Sequence, residues 1–416
     1  MSGLGLIVRR SLRQHLLSTL VTCLSTALGV GLVIATFVLS GQSERAFSGG
    51  PVGFDAVLGA RGSQLQLVLN TVFHLETSPG NIPWSLYQTM RKDPRVELAV
   101  PYALGDNHRG FRLVGTTTEL FTRLEIQEGR TMALLAGRLF DESAREAVIG
   151  TTVARETGLR IGSRFQPTHG FAERGKTHPS EYVVVGILEP MSSPSDRVIW
   201  IPIEGIFRME DHVLRGAGQS YVARPDQPIP DEHKEVSAVM LKLRDKRMGM
   251  PLAMQINNQG NVATLAYPIG QVMADLFARL GWVSQVLRLV AYLVVVVAAG
   301  SILAALYNTM NERRREFAIL RALGARRRLV FGAIVLESAT IAFLGSLAGF
   351  AAAAAVLGAA GAVVRDQTGV VLELVVWHPV LVIAPLGMTV LGALAGLVPA
   401  CKAYATDVAR NLLPTS

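Results

Sequence analysis

The sequence predicts an α-helical membrane protein with four transmembrane helices and a large extracytoplasmic α+β domain inserted between helices 1 and 2. Half of the 416 residues are hydrophobic and the mean hydropathy is +0.35, which is more apolar than a soluble chain of this length would be. Four apolar runs are long enough to cross roughly 30 Å of hydrocarbon. The net charge of +8 is concentrated beside these runs, a pattern typical of membrane topology and not of nucleic-acid binding.

The first element is a basic cytoplasmic segment at residues 1–15, followed by transmembrane helix 1 at 16–40. Arg9, Arg10 and Arg13 precede the apolar run without an intervening acidic residue. A cleaved signal peptide would have an apolar core of roughly 7–15 residues. The run of 25 residues is longer, so we interpret it as an uncleaved anchor.

Residues 41–281 predict the α+β domain. Strand-like stretches at 181–188 and 197–203 alternate with turn-rich, charged segments, and helical patterns occur at 84–91 and 144–157. The apolar stretch 65–73 near the start of this domain fits a domain core or an exposed contact surface, and the core interpretation is favoured.

The rest of the chain predicts three further helices and their connections. In order, these are helix 2 at 283–307, a cytoplasmic loop at 308–328, helix 3 at 329–364, a short extracytoplasmic loop at 365–379, helix 4 at 380–400 and a cytoplasmic tail at 401–416. The loop after helix 2 carries seven arginines and the loop after helix 3 carries one, so both termini are expected in the cytoplasm and the α+β domain outside.

The apolar runs hold few ionisable residues apart from Glu337 and edge residues such as Arg288, which argues against a polar conduit. They are rich in small residues instead. Two pairs of glycines have the spacing that lets helices approach closely, although glycine is common in membrane helices generally: Gly345 with Gly349, and Gly392 with Gly396.

The cytoplasmic loop reads NERRREFAILRALGARRR over residues 311–328. Phe317, Leu320 and Leu323 form an apolar stripe at helical spacing, and Gly324 is placed to end the helix. The segment is therefore predicted to be a short amphipathic helix at the membrane surface. Either anionic lipid holds it there, or it docks onto a cytoplasmic partner.

This loop resembles the ERRREIAILRALGA signature of the FtsX/MacB/LolC family of ABC transporter permeases. The matching residues are Glu312, Arg313, Arg314, Glu316, Ile319, Leu320, Arg321, Ala322, Leu323, Gly324 and Ala325. The sequences AVIGTTVA at 147–154 and YVVVG at 182–186 are similar, in the same order, to the MacB-type periplasmic core domain.

The resemblance implies the permease subunit of an ABC transporter of the MacB/LolCDE/FtsEX mechanotransmission type, in the bacterial inner membrane. Such a chain is not itself an enzyme and holds no cofactor, because ATP and Mg are bound by a separate cytoplasmic ABC ATPase dimer. Its other expected partners are a second permease copy or paralogue, membrane lipid, and a periplasmic protein or lipoprotein, with no nucleic acid. The residues expected to couple to the ATPase are Glu312, Arg313, Glu316, Phe317, Leu320, Arg321 and Gly324.

Two alternatives stay open, together with the substrate and the direction of transport. The stretch 55–74 is similar to permeases of this family associated with zinc-acquisition systems, which suggests a permease for metal uptake. The other alternative is a membrane receptor or adaptor that senses a periplasmic ligand.

Two further patterns in the α+β domain are set aside. Residues 170–177 (GFAERGKT) satisfy the phosphate-loop pattern, but Pro179 and a strand-like segment follow where the mechanism needs a helix. Six histidines show no tight HxH or HxxxH pair, so surface or structural roles are predicted and no metal or catalytic residue is assigned. They are His74, His108, His169, His178, His212 and His233.

Overall fold

The computed structural model divides the chain into two compact units. The membrane unit comprises Met1–Ser43, Leu280–Ala362 and Glu373–Ser416, and the α+β unit comprises Glu44–Arg279 and Val363–Leu372. The structure describes residues 3–48, 53–126, 129–170, 175–210, 212–224, 227–312, 319, 321, 325–372 and 376–405.

The helices of the described residues include very long apolar ones and short ones of the α+β unit. They are α1 (Gly3–Gln14), α2 (Leu16–Ser48), α3 (Gln64–Thr71), α4 (Trp84–Lys92), α5 (Glu119–Arg123), α6 (Thr151–Thr157), α7 (Ile203–Phe207), α8 (Gly249–Gln259), α9 (Ile269–Arg279), α10 (Gly281–Glu312), α11 (Arg327–Thr368) and α12 (Val380–Ala405). Among them, four are long and apolar enough to cross a membrane, as predicted: α2, α10, α11 and α12.

The helix α11 is longer than its apolar run predicts. It has 42 residues, about 63 Å at 1.5 Å per residue, because Arg365 and Asp366 continue the helix beyond the apolar sequence. Its buried Glu337 accepts a hydrogen bond from Ser11 of α1, so the short basic helix at the N-terminus is tied to α11. A polar group in this apolar unit is therefore paired inside the protein.

The strands of the α+β unit form one mixed sheet and a separate two-stranded pair, β11 with β2. The strands are β1 (Ala56–Ala60), β2 (Ile82–Pro83), β3 (Val96–His108), β4 (Phe111–Thr116), β5 (Leu134–Gly137), β6 (Glu146–Ile149), β7 (Arg164–Phe165), β8 (Thr168–His169), β9 (Tyr182–Leu188), β10 (Val198–Pro202), β11 (Glu235–Val236), β12 (Ala238–Leu243) and β13 (Ala263–Ala266). The order in the main sheet is β13-β1-β12-β3-β4-β10-β6-β9-β5, with β7 beside β9 and β8 beside β3.

The core of the α+β unit lies on both faces of this sheet. In β10, Ile199 and Ile201 pack into one apolar cluster, while Trp200 packs into the other, because alternate side chains of a strand point to opposite faces. Every residue of β10 is buried for this reason.

The apolar stretch 65–73 belongs to the core. In and just after α3, Leu67, Val68 and Phe73 are buried in the same cluster as Trp200. This supports the core interpretation of the stretch over an exposed contact surface.

Candidate functional site

Four side chains of the α+β unit converge near the end of β3: Asp106, His169, His178 and His212. One potential ligand atom from each lies within 4.8 Å of all the others. The sequence predicts surface or structural histidines here, and its local pattern does not single out Asp106. His169 and His178 are 63 and 72 residues from Asp106 in the chain, so local spacing could not reveal the cluster.

The strand β3 positions the carboxylate. Its pairing with β4 shifts register between Leu104 and Asp106, an irregularity of the kind that redirects side chains near functional sites. The short strand β8 pairs with β3 so that His169 lies directly opposite Asp106. Asn107 secures this pairing, since its Nδ2 donates to the carbonyl oxygen of Gly170 at 2.7 Å.

The chain then turns back and brings the second histidine to the same place. The backbone N–H of His169 donates to the carbonyl of Lys176 at 2.8 Å, and the N–H of His178 donates to the carbonyl of Pro167 at 2.8 Å. The third histidine, His212, lies in the turn that follows α7.

The polar atoms face one another at short distances. The Nδ1 of His169 and the Nε2 of His178 each lie 3.2 Å from Oδ1 of Asp106. The Nε2 of His212 lies 3.4 Å from Oδ2 of the same carboxylate. The three rings meet edge to face, with centroids 5.1 to 5.5 Å apart.

Backbone carbonyls fix the orientation of two of the rings. The Nδ1 of His178 lies 2.8 Å from the carbonyl oxygen of Glu210, and the Nδ1 of His212 lies 3.0 Å from that of Ile206. A carbonyl only accepts, so Nδ1 carries the hydrogen in both rings. In a neutral ring Nε2 then carries a lone pair, and in both cases that atom faces the carboxylate of Asp106.

The carboxylate at the centre is fully buried. Burial raises the pKa of Asp106, but the close approach of His212, His178 and His169 outweighs it, and the pKa lies below its usual value. Asp106 is therefore held as an anion, with three imidazole nitrogens around it. This donor set can hold a divalent cation.

One side of the cluster is accessible. The side chains of Asp106 and His178 are fully buried, whereas that of His169 is 59% exposed. His212 also lines a cleft of about 850 Å³, together with Arg145 and Glu210. An ion can therefore reach the cluster from solvent without unfolding of the domain.

The phosphate-loop match lies beside this cluster. Residues 171–174 lie outside the described residues, and the described stretch 175–181 contains no helix before β9 begins. Thr177 forms a bridge with Thr168 instead. The described part of the match thus lacks the helix N-terminus that phosphate binding needs. The residues on either side of the match, His169 and His178, belong to the cluster.

Most of the predicted coupling residues fall outside the described residues: Arg313, Glu316, Phe317, Leu320 and Gly324. Glu312 is the last residue of α10, and Arg321 has a helical conformation. The coupling role of this loop stays a prediction.

The first predicted glycine pair lies where α11 approaches α2. A Cβ on Gly345 would lie 2.6 Å from the Cβ of Thr26, and one on Gly349 would lie 3.0 Å from the Cβ of Val30. Gly358, further along the same helix, faces open space. Close packing of the two helices therefore depends on the absence of side chains at the first two positions.

The second pair lies where α12 approaches α11. A Cβ on Gly392 would overlap the Cβ of Ala342, and one on Gly396 would overlap Oγ of Ser338. Here too, the backbone of one helix, α12, packs against small side chains of the other, α11.

Two family models match the chain in succession. The MacB-like periplasmic core domain matches residues 19–248, and the FtsX-like permease C-terminal domain matches residues 288–408. The first match alone covers more than half of the chain.

Individual relatives agree with these matches. A macrolide export ATP-binding/permease protein MacB of Bdellovibrio bacteriovorus is 26% identical over 241 residues, which are 54% of this chain and 34% of the relative. An uncharacterized ABC transporter permease protein of Mycobacterium tuberculosis is 24% identical over 349 residues, 81% of this chain and 35% of the relative. The chain thus spans about a third of the length of these curated relatives.

Among solved structures, the periplasmic region of MacB from Actinobacillus actinomycetemcomitans aligns with a TM-score of 0.32 at 14% identity. The alignment covers 55% of this chain and 93% of that structure.

Proposed function

Because the chain belongs to the MacB-like and FtsX-like family of ABC transporter permeases, we propose that it couples ATP hydrolysis in a separate cytoplasmic ATPase to movement of its α+β domain outside the membrane. The observation that carries this proposal is the order of parts in one chain. An α+β domain of the MacB type lies between the first and second of four apolar helices, and the permease match covers the last three.

The continuity of the helices supports a mechanical role. The helix α10 begins at Gly281 and ends at Glu312, within the arginine-rich loop predicted at 308–328. The helix α11 leaves that loop region at Arg327 and runs without a break to Thr368. Unbroken helices transmit displacement with little loss, because each turn is braced by backbone hydrogen bonds.

The proposed setting is the bacterial inner membrane, with both termini in the cytoplasm. The arginines of the loop favour the cytoplasmic side for that segment. The ATPase dimer would dock there, and a second permease copy or paralogue would complete the membrane part. A periplasmic protein or lipoprotein would be handled by the α+β domain.

The test is purification of the tagged full chain from native membranes in mild detergent, with identification of co-purifying proteins by mass spectrometry. We expect a soluble ATPase in equal stoichiometry with the wild-type chain. The variants Glu316→Lys and Leu320→Asp should remain in the membrane and lose at least about 90% of the ATPase, since a docking helix depends on a few central anchors.

Matched controls are Glu232→Lys and Leu135→Asp, which make the same changes at exposed positions of the α+β unit. They should retain the ATPase. Equal ATPase recovery from wild-type and both loop variants would overturn the coupling proposal.

A further inference from the structure

We propose that Asp106, His169, His178 and His212 form a binding site for one divalent transition-metal ion, with Zn²⁺ the best fit. This proposal does not depend on the proposed coupling role, because it is argued only from the geometry of the α+β unit.

The distances fit tetrahedral coordination. Zinc binds imidazole nitrogen and carboxylate oxygen at about 2.0–2.2 Å, so neighbouring ligand atoms around a tetrahedral ion lie about 3.3 Å apart. The three nitrogen–oxygen distances in the cluster are 3.2, 3.2 and 3.4 Å. The three nitrogen–oxygen distances thus match those around such an ion, with Oδ1 of Asp106 next to His169 and His178 and Oδ2 next to His212.

The hydrogen bonds of the histidines also fit a bound zinc ion. His178 and His212 each donate Nδ1–H to a backbone carbonyl and direct Nε2 towards Asp106. This is the usual outer arrangement of zinc-bound histidines, in which a carbonyl fixes the tautomer and the opposite nitrogen binds the metal.

The competing explanation is a cluster held together by hydrogen bonds alone. In His178 and His212, Nδ1 already donates to a backbone carbonyl. The Nε2 atom of a neutral ring then offers a lone pair and no donor to the buried carboxylate, which is itself an acceptor. A divalent cation resolves this mismatch, because it accepts a lone pair from each ring and from the carboxylate.

The ligand types limit the choice of ion and the role of the site. Three imidazoles favour zinc, copper or nickel over magnesium and calcium, which prefer oxygen ligands. Four protein ligands would fill a tetrahedral zinc ion and leave no position for an activated water. The site is therefore suited to capture or conformational control, and the exposed ring of His169 gives the ion a route in and out.

The experiment measures Zn²⁺ binding to the metal-stripped full chain in detergent, with an affinity tag that contains no histidine. Isothermal titration calorimetry gives the stoichiometry and the affinity, and Co²⁺ substitution gives the visible absorption of a tetrahedral N/O site. We expect about one Zn²⁺ per chain. His169→Ala and His178→Gln should each weaken the affinity at least about 100-fold, because each removes a direct ligand whereas loss of an outer-shell partner alone costs 10–100-fold.

His108→Ala is the matched control, since His108 lies at the end of the same strand but outside the cluster. It should bind Zn²⁺ like the wild-type chain. His169→Ala guards against misfolding, because its side chain is mostly exposed and the metal-free variant should melt at the wild-type temperature. Failure of the wild-type chain to bind Zn²⁺, or equal affinity in wild type and both cluster variants, would overturn the site.

Discussion

His74 follows α3 and its ring lies edge-on to Trp200, with centroids 6.2 Å apart. Burial, and then the positive charge of Arg112, lower the pKa of His74 to about 3. The ring is therefore neutral in the folded protein at any physiological pH.

This residue should make the α+β unit sensitive to acid. The unfolded histidine has a pKa of about 6.5, so below that pH the unfolded chain binds a proton that the folded chain refuses. Stability should fall by up to about 1.4 kcal/mol per pH unit between pH 6.5 and 3. His74→Phe retains the ring and should remove this part of the pH dependence in thermal melts followed by tryptophan fluorescence. If the melting temperature of the variant fell with pH as steeply as that of the wild type, His74 would not be the source of this pH dependence.

At the scale of helices, the close approach of α11 to α2 makes a direct prediction. Gly345→Ala should destabilise the membrane unit by about 1–3 kcal/mol, because the new Cβ would be forced against Thr26. Gly358→Ala on the same helix is the control and should be neutral or slightly stabilising, since its Cβ meets open space. Thermal unfolding in detergent checks both, and equal melting temperatures would show that the two helices do not pack closely at Gly345.

A second prediction at this scale concerns the pairing of β8 with β3. Asn107 holds β8 through Gly170 and Thr168 but contributes no ligand to the histidine cluster. Asn107→Ala should therefore act as a positioning change, lowering Zn²⁺ affinity about 10–100-fold while leaving the Co²⁺ spectrum tetrahedral. Asn107→Asp, which retains an acceptor but not the donor, should behave similarly. An altered coordination spectrum, or unchanged affinity, would show that Asn107 does not position the ligands.

The elements that could be predicted from sequence are those that local composition decides. Long apolar runs predicted α2, α10, α11 and α12, and the resemblance to ABC permeases is confirmed by the family matches. The extension of α11 past 364 was missed because Arg365 and Asp366 are polar, yet polar residues can continue a helix.

The histidine cluster could not be predicted in the same way. The strand β8 has two residues and no recognisable periodicity, and its partner is set by the register of β3. Asp106 lies inside a strand beside a register shift, where nothing in the neighbouring residues marks it as a ligand. The coupling role of the arginine-rich loop, by contrast, rests on resemblance and stays a prediction.

At the scale of the whole molecule, the proposed orientation can be tested by thiol labelling. Cys401 is exposed near the end of α12 and is expected on the cytoplasmic side. In a Cys23→Ala background, a membrane-impermeant maleimide should label Cys401 only after the cells are permeabilised. A Cys23→Ala, Cys401→Ser chain carrying Ala217→Cys at an exposed site of the α+β unit should be labelled in spheroplasts. Labelling of Cys401 in intact cells, without labelling of Ala217→Cys in spheroplasts, would show that the topology is opposite to the one proposed.

The cysteine content gives the histidine cluster a wider consequence. Both cysteines, Cys23 and Cys401, lie in the membrane unit, so the α+β unit has no means of forming a disulfide. An ion bound by Asp106, His178 and His212 would join three distant stretches of the folded chain, and its binding free energy would add to the free energy of unfolding. Thiol reductants would leave this link intact, unlike a disulfide, whereas chelators would remove the ion. The metal concentration around the α+β unit, and not the redox state, would therefore set how stable the folded unit is.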